Sequence, residues 1–463
     1  MGNLNESETA MANEVELKLT LPSFAAQDFL QDSQLGEYQG EPLLLDNQYF
    51  DTDDLKLNQG HAALRIRKSQ HGYVQTLKNK GTALAGLHVR GEWEYGIASA
   101  YIDWSLFPQE VQFDDAIKQA IKPLFKTDFQ RHVWHVQVAN SHVELVMDQG
   151  LICAHDHNSP ICEIELELKS GDAADLFTLA LQLAARYPLV PCDISKAERG
   201  YALLYPTISF FTPSDFAAQM QSAQDFNVTP FLQETLQRIS RRWDKVCSTE
   251  NWWSLLVLSR QVQAMAWLVN QLPMMPVALQ EGWQELSLDL LTLLEPASLV
   301  IALHVDHHSN SRGLSQRLMQ LQDNELNECL KRFIDDNKLG QNMLQLGQFL
   351  YTHSQAVSFN EYLASALHNL EVSQWQENNE QQMQMLQGMA FLFKRLDHSA
   401  YQILNQFINQ SLVVRAMTKA QTTLSSISDE DSRAKLGSWV RRLTVESRRL
   451  QDLRASLLQA LRA

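Results

Sequence analysis

Glu14-Val15-Glu16-Leu17-Lys18 sets two carboxylates and an ammonium at alternate positions near the start of the chain. Successive side chains of a strand point to opposite faces. Glu14, Glu16 and Lys18 therefore share one face, and Val15, Leu17 and Leu19 the other. A polar cavity that holds a metal and an anion needs charges arranged in this way; a solvated strand rarely does. The alternation returns five times. Arg65 and Arg67 alternate with Leu64 and Ile66, and Thr76 and Lys78 flank Leu77. Arg90, Glu92 and Glu94 oppose Trp93 and Tyr95. His142, Glu144 and Asp148 oppose Val143, Leu145 and Met147, and Glu163, Glu165 and Glu167 alternate with aliphatic residues.

These residue types suit a chain of phosphates. Arg donates through a bidentate fork and Lys acts as a compact point charge. Lys18, Arg65, Arg67, Lys78, Arg90 and Arg131 are candidates to cancel the charge of a triphosphate. Lys196 and Arg199, in Ser195-Lys196-Ala197-Glu198-Arg199-Gly200, could close the ring. Glu14 and Glu16, facing Glu163, Glu165 and Glu167 from another strand, are candidate ligands for magnesium, which takes hard oxygen donors. Clustered carboxylates repel one another unless a cation neutralises them, which is a reason to expect one. The metal would polarise the terminal phosphoryl group and position water. The basic residues would hold the charge that builds up in the transition state. No strained serine elbow, Cys–His pair or P-loop points to a covalent route.

Positioning such faces requires strands that curve around a common interior. Residues 12–205 are strand-rich, and their charged segments match strand alternation far better than helical periodicity; a closed antiparallel barrel with a charged lumen and an apolar exterior accounts for all the charged faces together. Helical spacing is expected at 22–31, at 114–126 and at 172–186, where Asp172 is the expected N-cap. These helices are expected to pack on the apolar outside of the barrel. Residues 206–229, with Pro206, Pro213, Phe210 and Phe211, read as a linker. From 230 to 463 the strand pattern stops. Leu, Gln, Arg and Ala dominate, and helices are expected at 230–246, 251–272, 279–294, 313–335, 338–352, 360–370, 379–396, 399–425 and 430–461, forming an antiparallel bundle. The expected fold is thus an α+β N-terminal domain followed by an all-α helical bundle.

At 463 residues the chain exceeds one small core, so two domains are expected. A net charge of −16 argues against general nucleic-acid or anionic-membrane binding, so any polyanion must use a local basic pocket. No apolar run reaches the roughly 20 residues that span a bilayer, and the first residues lack the n- and h-regions of a signal peptide. Five cysteines without CxxC spacing predict neither a disulfide framework nor a zinc site, and fit a reducing cytoplasm. In the second half, Arg238, Arg241, Arg242 and Lys245 give one helix a basic face, and Arg441, Arg442, Arg448 and Arg449 form a second stripe. Both read first as solvated faces, and together they could grip polyphosphate. His304, His307 and His308 read as a polar helix end, and Trp252, Trp253 and Trp267 as core or interdomain contacts.

ExExK at 14–18, LRIR at 64–67, TLK at 76–78, RGEWE at 90–94, ELVMD at 144–148 and EIELE at 163–167, in that order, resemble the CYTH domain of the triphosphate tunnel metalloenzymes. The resemblance covers roughly 12–205. It implies an eight-stranded antiparallel tunnel that binds triphosphate with magnesium or manganese. By the family pattern Glu14, Glu16, Glu163, Glu165 and Glu167 hold metal, Lys18, Arg65, Arg67, Lys78, Arg90 and Arg131 hold phosphate, and Lys18 helps to activate water. Family activities include inorganic triphosphatase, thiamine triphosphatase, RNA triphosphatase and class IV adenylyl cyclase; a non-catalytic polyphosphate-binding adaptor is a further alternative. The sequence offers no clear base-reading pocket. Residues 230–463 resemble a CHAD domain in which Val257 stands where a histidine is expected before Arg260. That domain order is similar to bacterial two-domain inorganic triphosphatases.

Overall fold

The computed structural model describes residues 12–36, 40–79, 81–111, 113–208, 228–249, 252–270, 272, 275–294, 297, 324–353, 386–390, 400–425 and 430–462. Ten strands form in chain order: β1 (Ala12–Thr20), β2 (Leu43–Asp51), β3 (Ala63–Ser69), β4 (Gly72–Lys78), β5 (Thr82–Leu84), β6 (Leu87–Ile97), β7 (Lys122–Val138), β8 (Ser141–Ala154), β9 (His157–Ser170) and β10 (Val190–Pro191). Eight close a ring of antiparallel pairs in the order β1-β9-β8-β7-β2-β3-β4-β6 and back to β1. The short strands β5 and β10 extend it at β6 and β1. A closed ring has no free edge and has one face turned inward.

Which face that is follows from packing. Leu64, Leu77 and Trp93, from β3, β4 and β6, are buried with Leu57 and Phe107 in one apolar cluster outside the ring. The helices α1 (Ala26–Leu30), α2 (Lys56–Gln59), α3 (Asp115–Ala120) and α4 (Ala174–Ala184) belong to the same unit, and α4 packs on β1 and β9. Their neighbours of opposite parity, Arg65, Thr76, Lys78 and Glu92, consequently line the interior.

Two local expectations change. The helix expected over 114–126 ends at Ala120, and β7 begins at Lys122. Pro123 explains the break: it lacks an N–H and disfavours helical backbone just before it. Asp172 caps α4 from one residue earlier than the N-cap, its Oδ1 accepting from Ala174 N at 2.9 Å.

A fifth helix, α5 (Lys196–Leu204), does not sit outside the ring. Its Ala197 and Tyr201 are buried with Leu45, Tyr49, Phe125, Phe129, Ile152 and Ile161. Phe129 shares the inward parity of Arg131, and Ile161 that of Glu163, so this cluster fills one end of the lumen. At Gly200 a Cβ would lie 2.1 Å from the Phe125 ring, so only glycine allows this approach. Tyr201 Oη fastens the helix by donating to Asp51 Oδ2 at 2.8 Å. The lumen is therefore charged along most of its wall and apolar where α5 plugs it, rather than charged throughout.

The compact unit that holds the barrel comprises residues 1–212 with Met343–Thr352. The other unit, 213–342 with 353–463, is helical in every described element. Its helices Val228–Thr249, Trp252–Asn270 and Val277–Leu293 pack in succession, and Tyr401–Ser425 packs on Glu430–Arg462. Leu236, Ile239, Trp243 and Val246, spaced on one helical stripe, are all buried. Trp252 and Trp267 are core residues and Trp253 is exposed, stacked on Trp252. The expected helix at 360–370, His304, His307 and His308, and most of 206–229 lie outside the described residues. Among the described residues no helix is long and apolar enough to cross a membrane.

Candidate active site

The interior charges fall into two ion-paired groups. The first group spans β1, β6 and β4. Lys78 Nζ donates to both oxygens of Glu14 at 2.8 and 2.7 Å and stands 3.3 Å from Glu92. Arg90 Nε donates to Glu14 at 2.9 Å and its Nη2 to Glu16 at 2.5 Å. The β1–β6 register places Glu14 directly opposite Arg90. Burial would raise the Glu14 carboxyl, but Lys78 and Arg90 outweigh it and hold the group below its ordinary range.

The second group spans β7, β8, β9 and α5. Arg131 grips Asp148 with two parallel hydrogen bonds of 2.7 Å and reaches Glu165 with a third of 2.8 Å. Lys196 Nζ donates to Asp148 at 2.7 Å, to Glu165 at 3.0 Å and to Glu163. Arg199 Nη1 lies 3.7 Å from Glu163. Asp148 and Glu163 have fully buried side chains. Burial opposes charge on Glu165, yet Lys196, Arg131 and Lys18 keep its carboxyl well below the usual carboxylate range.

Arg67 lies beside Arg131 of the second group and beside Arg65, which stands 3.9 Å from Glu92 of the first. Arg65 is half-buried, which disfavours its charge, but Tyr49, Glu92 and Glu94 more than compensate. Arg67 is different. Its Nε donates to the neutral Asn47 Oδ1 at 3.0 Å, and among the described residues it makes no ion pair. Burial and the two neighbouring arginines push its guanidinium down to about 10. A cation held in a partly dry site beside like charges is favoured by any anion that approaches it.

Lys18 is buried and cross-strand from Glu165. Its Nζ donates to Ile194 O at 2.6 Å, and its backbone N to Gly86 O at 2.9 Å. Gly86 sits at φ +85° with no room for a Cβ against Lys18 O, so this turn requires glycine.

The structure thus brings Glu14, Glu16, Lys18, Arg65, Arg67, Lys78, Arg90, Arg131, Glu163, Glu165 and Lys196 to one barrel interior. Glu167 is set apart: it is a third exposed, pairs with Lys169 at 2.7 Å, and burial raises its carboxyl. Among the described residues, the carboxylates able to hold a metal together are Asp148, Glu163 and Glu165, each offering an oxygen within 4.8 Å of the others. Glu14 and Glu16 belong to the other ion-paired group. Hard carboxylate oxygens suit magnesium or manganese. Glu163 Oε2 is buried and accepts no hydrogen bond among the described residues, with Arg199 Nη1 3.7 Å away, so a cation bound directly to it would satisfy it. Asp148 was visible in sequence as an inward-parity carboxylate, but nothing there showed that β8 lies between β7 and β9.

Residues 12–201 match the family model of the CYTH domain. A curated inorganic triphosphatase from Haemophilus influenzae is 34% identical over an alignment of 204 residues that covers 42% of this chain and 56% of that protein. The chain therefore spans about half the length of this relative. Among solved structures, a protein from Hippeastrum assigned as an adenylyl cyclase and described as having dominant triphosphatase activity is 21% identical, covering 41% of this chain and 95% of its own, with a TM-score of 0.33. A protein from Bacillus halodurans assigned as an adenylate cyclase is 22% identical, covering 37% and 88%, with a TM-score of 0.26.

Proposed function

We propose, from the premise that residues 12–201 are a CYTH domain, that the barrel interior is a tunnel that hydrolyses inorganic triphosphate to pyrophosphate and phosphate with a divalent cation. The observation that carries this reading is Arg67, a half-buried cation crowded by Arg65 and Arg131 that, among the described residues, forms no ion pair within 4 Å. The similarity to a curated inorganic triphosphatase supports the choice of substrate.

In this reading Arg65, Arg67 and Arg131 hold phosphoryl oxygens, with Lys18, Lys78, Arg90 and Lys196 at the margins. Asp148, Glu163 and Glu165 would hold the cation, with Glu16 and Glu14 completing the carboxylate wall. Bound there, magnesium or manganese would polarise the terminal phosphoryl group. Water forms the new bond to the terminal phosphorus, the bridging P–O bond breaks, pyrophosphate leaves, and a proton is released. Lys18, fixed by Ile194 O and facing Glu165 across the ladder, is placed to orient that water and steady the charge. Glu16 and Glu165 complete the catalytic set. The bidentate arginines act by positioning and by charge already in place, which is most of what phosphoryl transfer asks of a protein.

The domain division follows: 12–205 as the catalytic tunnel, 206–229 as linker and 230–463 as a CHAD-like helical region that holds polyphosphate. A cytoplasmic setting fits the reduced cysteines.

The test is turnover by the full chain with inorganic triphosphate and magnesium. Glu165→Gln should lose at least about a hundredfold in kcat while keeping its far-ultraviolet circular dichroism. Full activity in that folded variant would refute the assignment.

A further inference from the structure

Lys196 Nζ stands among the very oxygens that could ligate a metal. It donates to Asp148 Oδ2 at 2.7 Å, Glu165 Oε1 at 3.0 Å and Glu163 Oε1, and these three residues are the metal-competent group. An ammonium with three donors satisfied by three carboxylates is a stand-in for a bound cation. A divalent ion sits about 2.1 Å from such oxygens, so ion and ammonium cannot share the position. The two cations must exclude one another.

The surroundings allow the side chain to leave without the helix. Lys196 is the first residue of α5, whose N-terminus is held by Ser195 Oγ accepting from Glu198 N at 3.0 Å. The body of α5 is wedged in the barrel by Gly200 against Phe125 and by Tyr201 on Asp51. Lys196 Nζ lies over the Phe129 ring, 5.0 Å from its centre, and the Arg131 guanidinium lies 5.8 Å over the same ring. A rotation over that apolar platform turns Nζ from the carboxylates toward the arginine side of the lumen, where a phosphate chain would supply new acceptors.

We propose that Lys196 and the divalent cation are alternative occupants of the Asp148–Glu163–Glu165 oxygens, so that metal entry releases Lys196 to the triphosphate and the two ligands bind cooperatively. This rests on the metal-dependent reading above and adds an order to it. Without substrate Lys196 keeps the metal out; with substrate it has somewhere else to go.

Manganese binding by the full chain, followed by calorimetry and by the electron paramagnetic resonance of free Mn2+, tests this apart from turnover. Lys196→Met should bind Mn2+ at least about tenfold more tightly than wild type without substrate. Arg199→Met removes an equal charge beside Glu163 and should gain less than about threefold. Adding the non-hydrolysable diimidotriphosphate should tighten Mn2+ binding to wild type, and this gain should shrink in Lys196→Met. Equal gains in both variants would reduce the effect to net charge and overturn the exchange, as would unchanged or weaker Mn2+ binding in Lys196→Met. Failure of the parent reading shows separately, as wild-type protein that releases no phosphate from triphosphate.

Discussion

Arg131 Nη2 donates to Glu165 Oε2 at 2.8 Å although a whole strand, β8, lies between their strands. Side chains on β7 and β9 meet in this way on the concave side of a curved sheet. The same guanidinium holds Asp148 on the strand between, so one arginine ties three neighbouring strands from inside.

That relationship predicts a cost. Removing one partner of a buried charge network leaves uncompensated carboxylates. Arg131→Ala is expected to destabilise the barrel by about 3 kcal/mol, read from urea unfolding of the full chain. A loss below about 1 kcal/mol, the range of exposed pairs, would show that the network is solvated in solution.

Arg67 should behave in the opposite way. Among the described residues it has no ion pair to lose, and it has two like charges to escape. Arg67→Ala is expected to leave stability within about 1 kcal/mol of wild type. Triphosphate affinity should nevertheless fall roughly 10- to 100-fold, the equivalent of one charge-assisted hydrogen-bonding group. Calorimetric titration with a non-hydrolysable analogue measures it, and unchanged affinity would place the phosphates elsewhere.

The low carboxyl of Glu165 sets an acid limb. Burial acts against its charge, but Lys196, Arg131 and Lys18 prevail, and the folded group titrates well below the ordinary 4.5. As pH drops past that value the unfolded chain takes up a proton that the folded chain refuses. Stability is therefore full above about pH 4.5 and is lost as pH falls through the folded value. Glu165→Gln removes this contribution, so its melting temperature should decline less steeply than wild type below about pH 4.5. Parallel curves would count against the pairing.

Gly200→Ala tests the plug. In an ordinary helix this change gains up to about 1 kcal/mol, but here the new methyl meets the Phe125 ring at 2.1 Å. The clash should win, with a net loss of about 1–3 kcal/mol in denaturant unfolding. A stabilised variant would mean that α5 does not enter the lumen so closely.

Much of this interior was legible in the sequence because strand parity is strict. Glu14, Glu16, Arg65, Lys78, Arg90 and Glu165 announce a shared face through alternation alone, whatever partners they acquire. Helices in the second half were likewise readable from their one-sided apolar stripes, as at Leu236, Ile239, Trp243 and Val246. Partnership was not legible. The pairing of Glu14 with Lys78 and of Asp148 with Arg131 depends on which strands become neighbours, and that is fixed by closure of the whole ring. The role of α5 was hidden for a related reason. Lys196-Ala-Glu-Arg-Gly-Tyr is too short to show helical periodicity, and the inward apolar residues it packs on, such as Phe125 and Phe129 of β7, share parity with the charged ones. Pro123 was the overlooked local signal, since it ends α3 and lets β7 begin.

The central claim is most directly tested by following both products from inorganic triphosphate with the full chain, first stripped of metal and then given magnesium or manganese. The account predicts one phosphate and one pyrophosphate per triphosphate, formed with the cation and not without it. Release that is indifferent to metal, or no release with either ion, would contradict it.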